Sequence, residues 1–170
     1  MSDEWDEARD EYTTADADAT RTLGAALARS IRPGQVIALR GDLGAGKTTF
    51  VQGLAAGLGF AGQVTSPTFI LVNEYLLPGR RLVHIDAYRL GDAGAVALDE
   101  AATFGLEDIL AAEDAIVAIE WSERVAGALH DDYLLVELQA TAPDERRIRI
   151  SAAGAQSAAA LARLRAQNTA

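Results

Sequence analysis

Three features of the sequence predict an α/β domain with a mixed central sheet. Apolar runs of strand length at 35–40, 115–120 and 133–140 alternate with helix-periodic segments at 17–30, 48–58 and 156–167. Two pairs of strand-like runs, 68–77 with 81–86 and 133–140 with 146–154, are close enough in sequence to form hairpins, so antiparallel strands join a sheet whose crossovers run parallel. Between the runs 35–40 and 48–58 lies the glycine-rich stretch GDLGAGKT, giving the order strand, loop, helix.

The elements follow in order. Residues 3–11 hold Asp3, Glu4, Asp6, Glu7, Asp10 and Glu11 against Arg9 alone, a local charge of −5. Residues 1–13 therefore read as a solvated, disordered tail, with the domain spanning 14–170. Leu23, Leu27 and Ile31 recur at helical spacing behind Thr14 or Asp16 as a cap, and Pro33-Gly34 turns the chain. The run 35–40 ends at a glycine, and the helix that follows the loop stops at Gly59. Pro78-Gly79 supplies the first hairpin turn. Alanine-rich 92–111 carries Val96, Leu98, Ile109 and Leu110, the pattern of one or two helices broken near Gly105. AIVAIE (115–120) has the unbroken apolar character of a buried strand, and 156–167 closes the chain as a helix.

Composition narrows the function. With 170 residues, 49% of them hydrophobic, the chain suits one core. Cysteine is absent, which excludes a disulfide framework, a thiol nucleophile and a cysteine zinc site, and fits a reducing compartment. The acidic start lacks the apolar centre of a signal peptide, and no apolar run approaches the roughly 20 residues that span a bilayer. A cytoplasmic protein without membrane contact is expected. The formal charge of −10, with no dense basic cluster, makes the chain a poor grip for nucleic acid by itself. Another protein would hold any RNA involved.

Gly41 to Thr48 fit the pattern G-x-x-x-x-G-K-[ST]. Gly44 and Gly46 let the backbone fold tightly around Ala45, so that successive amides turn inward on phosphate oxygens at a helix start. Lys47 is the single lysine of a chain with 14 arginines. A slender ammonium reaches between the outer phosphates where a broad guanidinium would collide. Thr48 offers a hydroxyl to Mg²⁺ and Thr49 one to an inner phosphate. The eight-residue pattern arises by chance on the order of once per hundred chains of this size. Its position between strand and helix adds to it, and the expected fold becomes a three-layer domain of the P-loop NTPase type.

Such a loop requires a carboxylate at the end of a neighbouring strand, to hold Mg²⁺ and orient the attacking water. Asp86 ends RLVHID and Glu120 ends AIVAIE, both at the carboxyl edge where α/β ligands bind. Asp99, Glu100, Glu107 and Asp108 lie in helical segments and read as solvated. TSPTF (65–69) occupies the place of a switch segment, where Ser66 or Thr68 would sense the terminal phosphate and Pro67 would restrict the loop. His84 reads as a core or rim histidine, His130 as a loop residue, and Trp121 as packing beside the metal acid with the alternative of a gate.

Four stretches in order, GDLGAGKTTF (41–50), SPTFILVNEY (66–75), HIDAYRL (84–90) and IEWSERV (119–125), resemble the TsaE family, formerly YjeE. These are bacterial P-loop ATPases needed for threonylcarbamoyladenosine synthesis on tRNA. The resemblance covers roughly residues 16–150. It implies an ATPase that joins the TsaB and TsaD proteins, with tRNA contacted only through that complex, and whose hydrolysis supports turnover of the assembly. It further implies that Gly44 to Thr49 hold ATP, that Thr48 and Glu120 bind Mg²⁺, and that Asp86 is the essential aspartate. Thr68 matches the switch threonine, Trp121 the tryptophan of the E-W pair, and Ala17 the position that touches adenine.

Two other readings compete. A small-molecule kinase with the same loop needs lid arginines, for which Arg80, Arg81 and Arg89 are the local candidates. A docking protein would bind ATP without appreciable hydrolysis. GTPase function is disfavoured because guanine-reading N-K-x-D needs a second lysine. The sequence offers no clear arginine finger, so hydrolysis by the isolated chain is expected to be weak.

Overall fold

The computed structural model describes residues 9–66, 72–90 and 95–169. Among these, seven strands form one sheet: β1 (Arg9–Thr14), β2 (Val36–Arg40), β3 (Val72–Leu77), β4 (Arg80–Asp86), β5 (Ala115–Glu120), β6 (Leu134–Ala140) and β7 (Arg146–Ala152). Their spatial order is β1-β7-β6-β2-β5-β4-β3. The inner four, β6, β2, β5 and β4, are parallel, whereas β3 pairs antiparallel with β4, β7 with β6, and β1 with β7. Both expected hairpins form.

Every residue of β5 is buried, as a central parallel strand covered on both faces requires. Its alternation feeds two cores. Ile116 and Ala118 face the layer built by α1 (Ala17–Ala28), α2 (Lys47–Gly57) and α5 (Ala155–Asn168), with Leu27, Phe50, Leu54 and Leu161 at its centre. Ala115, Val117 and Ile119 face α3 (Ala95–Thr103), α4 (Leu106–Ala111) and a 3₁₀ segment, Ser122–Ala128, through Ala101, Leu106, Leu110 and Val125. The result is the three-layer arrangement that the sequence pattern predicts. The helical stretch 92–111 divides in two at Gly105, which takes a left-handed φ of 79° before α4. Asp16, not Thr14, caps α1, accepting a hydrogen bond from the Ala19 amide at 2.7 Å.

The tightest helix contact fixes the phosphate-loop helix. A Cβ on Gly53 of α2 would lie 2.0 Å from the Arg21 carbonyl of α1, and one on Gly24 of α1 would lie 2.3 Å from the Phe50 carbonyl of α2. Only glycine lets the two backbones approach this closely.

The N-terminal tail is corrected. Residues 9–13, expected to be disordered, belong to β1 and pair residue by residue with β7, Glu11 opposite Arg149 and Thr13 opposite Arg147. Glu11 accepts ion pairs from Arg149 at 3.1 Å and Arg147 at 3.7 Å, and Asp10 one from Arg165 of α5 at 2.9 Å. Asp10 and Glu11, two of the acids that read as part of a solvated tail, are thus paired with arginines far away in sequence. Residues 1–8 lie outside the described residues.

Candidate functional site

The carboxyl ends of β2, β4 and β5 meet at one edge of the sheet, with Leu39 opposite Glu120 and Asp86 opposite Glu120 in register. The chain leaves β2 through Gly41, Gly44 and Gly46, all with positive φ, and enters α2 at Lys47. Gly44 (φ 77°) and Gly46 (φ 101°) are the two positions where a left-handed backbone is needed to fold the loop. The start of α2 carries no side-chain cap, so no side chain of its own competes for the first amides of the helix.

Lys47 is 5% exposed, and its Nζ donates to the loop's own carbonyls, Gly41 and, at 2.9 Å, Asp42. Burial pushes its pKa down, while the carboxylates of Glu120, Glu123, Asp86 and Asp42 pull it back up. The ammonium also sits 4.2 Å from the centroid of the Trp121 ring.

Thr48 donates its hydroxyl to Glu120, 2.9 Å from Oε1 and 3.0 Å from Oε2. Glu120 is 3% exposed and its Oε2 also lies 2.5 Å from Nε2 of His84, a fully buried residue. Asp86 is held separately: Oδ2 accepts the Ser66 hydroxyl at 3.0 Å and Oδ1 the Tyr88 amide at 2.9 Å. Trp121 follows Glu120 with φ 57°, the one non-glycine residue in the left-handed region among those described. A bulky side chain holds that conformation only where its surroundings compel it. Here the ring packs against Tyr88 in a tilted arrangement, centroids 5.0 Å apart, and lies 5.8 Å from the Arg124 guanidinium. Together these groups enclose a cavity of about 300 Å³ lined by the loop, Ser66, Asp86, Tyr88, Glu120 and Trp121.

A hydroxyl and a carboxylate meeting beside an uncapped helix start and a buried ammonium suit a hard divalent cation that takes its other ligands from phosphate and water. The family model for the threonylcarbamoyl adenosine biosynthesis protein TsaE matches residues 14–148. The chain belongs to the TsaE family.

Its relatives in that family include the tRNA threonylcarbamoyladenosine biosynthesis proteins TsaE of Streptomyces coelicolor, 39% identical over 79% of this chain and 90% of the relative, and of Bacillus subtilis, 34% identical over 84% and 85%. The TsaE protein of Nostoc is 47% identical over 65% of this chain and 67% of its own. Among solved structures, Bacillus subtilis YdiB superposes with a TM-score of 0.79 at 28% identity, covering 94% of this chain and 96% of that one.

Of the site residues expected for a TsaE chain, Gly44, Ala45, Gly46, Lys47, Thr48, Thr49, Asp86 and Glu120 line one cavity. Ala17 lines a smaller neighbouring cavity of about 80 Å³ that shares Gly46 and Thr49 with the first. Thr68 and Pro67 lie outside the described residues. Arg80 and Arg81 open β4 at the end opposite Asp86, where Arg80 donates to the Leu58 carbonyl at 3.1 Å and Arg81 pairs with Glu74 and Asp114. They are thus engaged away from the cavity.

Sequence reasoning passed over two neighbours of the site. His84 is a core histidine as expected, but its contact to Glu120 depends on β4 and β5 being adjacent, which spacing alone does not reveal. Arg146, at the start of β7, lines both cavities although nearly 100 residues of chain separate it from the loop.

Proposed function

We propose that the chain binds ATP with Mg²⁺ in the cavity at the end of β2 and hydrolyses it to ADP and phosphate. This activity would serve the installation of threonylcarbamoyl on the adenosine beside the tRNA anticodon, in the cytoplasm and together with TsaB and TsaD. The observation that carries the reading is the convergence of Lys47, Thr48 and Glu120 on one side of a glycine loop that leads into a helix.

The residues divide the work by geometry. Main-chain amides of the glycine loop and of the uncapped first turn of α2 would receive the phosphate tail. Lys47 exchanges the Gly41 and Asp42 carbonyls for phosphate oxygens, so that the ammonium meets an opposite charge in place of neutral acceptors. Thr48 and Glu120 are the groups that would hold Mg²⁺, which when bound neutralises charge on the outer phosphates. His84 keeps the Glu120 carboxylate in place from behind. Asp86, held at the end of β4 by Ser66 and the Tyr88 amide and opposite Glu120 in register, takes the role of orienting the attacking water.

Family membership supports the pathway, and the absence of any membrane-spanning helix among the described residues is compatible with it. Phosphate release measured with the chain alone and with TsaB and TsaD tests the proposal. Slow release alone and an altered rate with both partners is the expected result. Fast release that neither partner changes would contradict it.

A further inference from the structure

We infer that Gln52 is a positioning residue for hydrolysis: its side-chain amide ties the phosphate-loop helix to residues 64–66 and so sets Ser66 against Asp86. This inference rests on the ATP reading above and adds to it a residue outside the nucleotide cavity.

Gln52 stands on α2 four residues beyond Thr48, on the same side of the helix and one turn farther along. Its amide can face only one way. The guanidinium of Arg21, which carries donors alone, gives its Nε hydrogen to Oε1 at 3.2 Å, and this leaves Nε2 to donate to the Val64 carbonyl at 3.1 Å. Arg21 is itself paired with Asp18 near the start of α1 at 2.8 Å. The bridge thus runs from α1 across α2 to residue 64.

What the bridge fixes is the direction of a peptide. The Val64 side chain is 6% exposed and belongs to the core, which sets where the residue sits. A cavity of about 220 Å³ lies beside it, between Gln52, Ala55 and Ala56 of α2 and Phe60, Gln63 and Val64 of the following chain. Packing therefore leaves the peptide after Val64 room to turn, and the Gln52 amide holds it. Two residues on, the Ser66 hydroxyl reaches Asp86 Oδ2 at 3.0 Å. The Thr65 carbonyl in between meets Asn73 and Tyr75 of β3 at 3.4 Å each, the weak end of the hydrogen-bond range. The firmer tie on the way to Ser66 is the one from Gln52.

The consequence is chemical. Asp86 orients the attacking water in the reading above, and its Ser66 partner keeps its place through a residue on the helix that carries Lys47 and Thr48. Gln52 does not line the nucleotide cavity, so its loss should act on turnover and spare binding.

Single-turnover phosphate release in Mg²⁺ and calorimetric ATP binding test the assignment on the wild-type chain, Gln52→Met, Gln52→Glu, Ser66→Ala and the double variant Gln52→Met with Ser66→Ala. Methionine keeps the length of the side chain and loses both bonds. Glutamate keeps the acceptor for Arg21 and loses the donor to Val64. Both Gln52 variants are expected to release phosphate about 10- to 100-fold more slowly, up to the scale for a misplacement on the order of 1 Å, with ATP affinity within about twofold of wild type. The double variant should be no more than about twofold slower than Ser66→Ala alone, because the effect of Gln52 passes through Ser66. Wild-type release in Gln52→Glu, a loss of ATP affinity as large as the loss of rate, or losses that multiply in the double variant would each overturn the assignment and leave the ATP reading standing. A wild-type chain that neither binds nor hydrolyses ATP would instead refute that reading.

Discussion

Thr48 and Glu120 are 72 residues apart in sequence, yet the threonine hydroxyl lies 2.9 and 3.0 Å from the two carboxylate oxygens. One residue opens α2 and the other ends β5, so the contact forms only once the phosphate loop is seated on the sheet. We expect Thr48→Val and Glu120→Gln each to lower Mg²⁺-dependent ATP hydrolysis by roughly 100-fold, the scale for removing one fixed electrostatic element, with ATP binding partly kept. Because the pair acts as a unit, the double variant should lose little beyond either single one. Single-turnover phosphate release over a Mg²⁺ series checks this. Full additivity would mean that the two residues serve separate purposes.

Trp121 reports on Lys47. With the ammonium 4.2 Å from the ring centroid, ATP should draw the lysine toward phosphate and change the ring's emission. Titrating ATP while following tryptophan fluorescence should give a saturable change in the wild type that disappears in Trp121→Phe. A full-sized change that survives Trp121→Phe would show that Trp121 does not report on the movement of Lys47.

Asp132 carries a stability prediction with a pH sign. Its carboxylate accepts hydrogen bonds from the Gln156 and Ser157 amides at 2.8 and 2.9 Å and from the Ser157 hydroxyl at 2.5 Å, capping α5 from a distant loop. Burial alone would raise its pKa, but the hydrogen bonds from Ser157 and Gln156 outweigh burial and hold it below the ordinary aspartate value of 3.8. The folded state thus binds the proton less readily than the unfolded chain. The cap's contribution is complete above the unfolded value and is lost as pH falls through the folded one. Asp132→Ala should cost about 1 kcal/mol at pH 7 and flatten the acid limb of the stability curve, measured by urea unfolding from pH 7 to 3. An unaltered acid limb would show that the cap is not what titrates.

The phosphate loop, the strands ending in Asp86 and Glu120, and both hairpins were legible because each is written in contiguous residues: glycines at fixed offsets, apolar runs closed by an acid, turn dipeptides. What escaped the sequence depends on partners far along the chain. Residues 9–13 looked like an acidic tail because their acids find arginines only once β1 lies beside β7 and α5. Arg146 reads as one arginine among many until the β6–β7 hairpin brings it over Gly44. The left-handed φ of Trp121 has no sequence signal at all, since no glycine or asparagine marks it.

The most direct test of the account is calorimetry of ATP with Mg²⁺ on Lys47→Ala beside the wild type. The wild type should bind saturably, and the variant at least about 10-fold more weakly, the loss expected for a buried charge-assisted contact to phosphate. Equal affinity in the two proteins would contradict the claim that this ammonium and its loop receive the triphosphate.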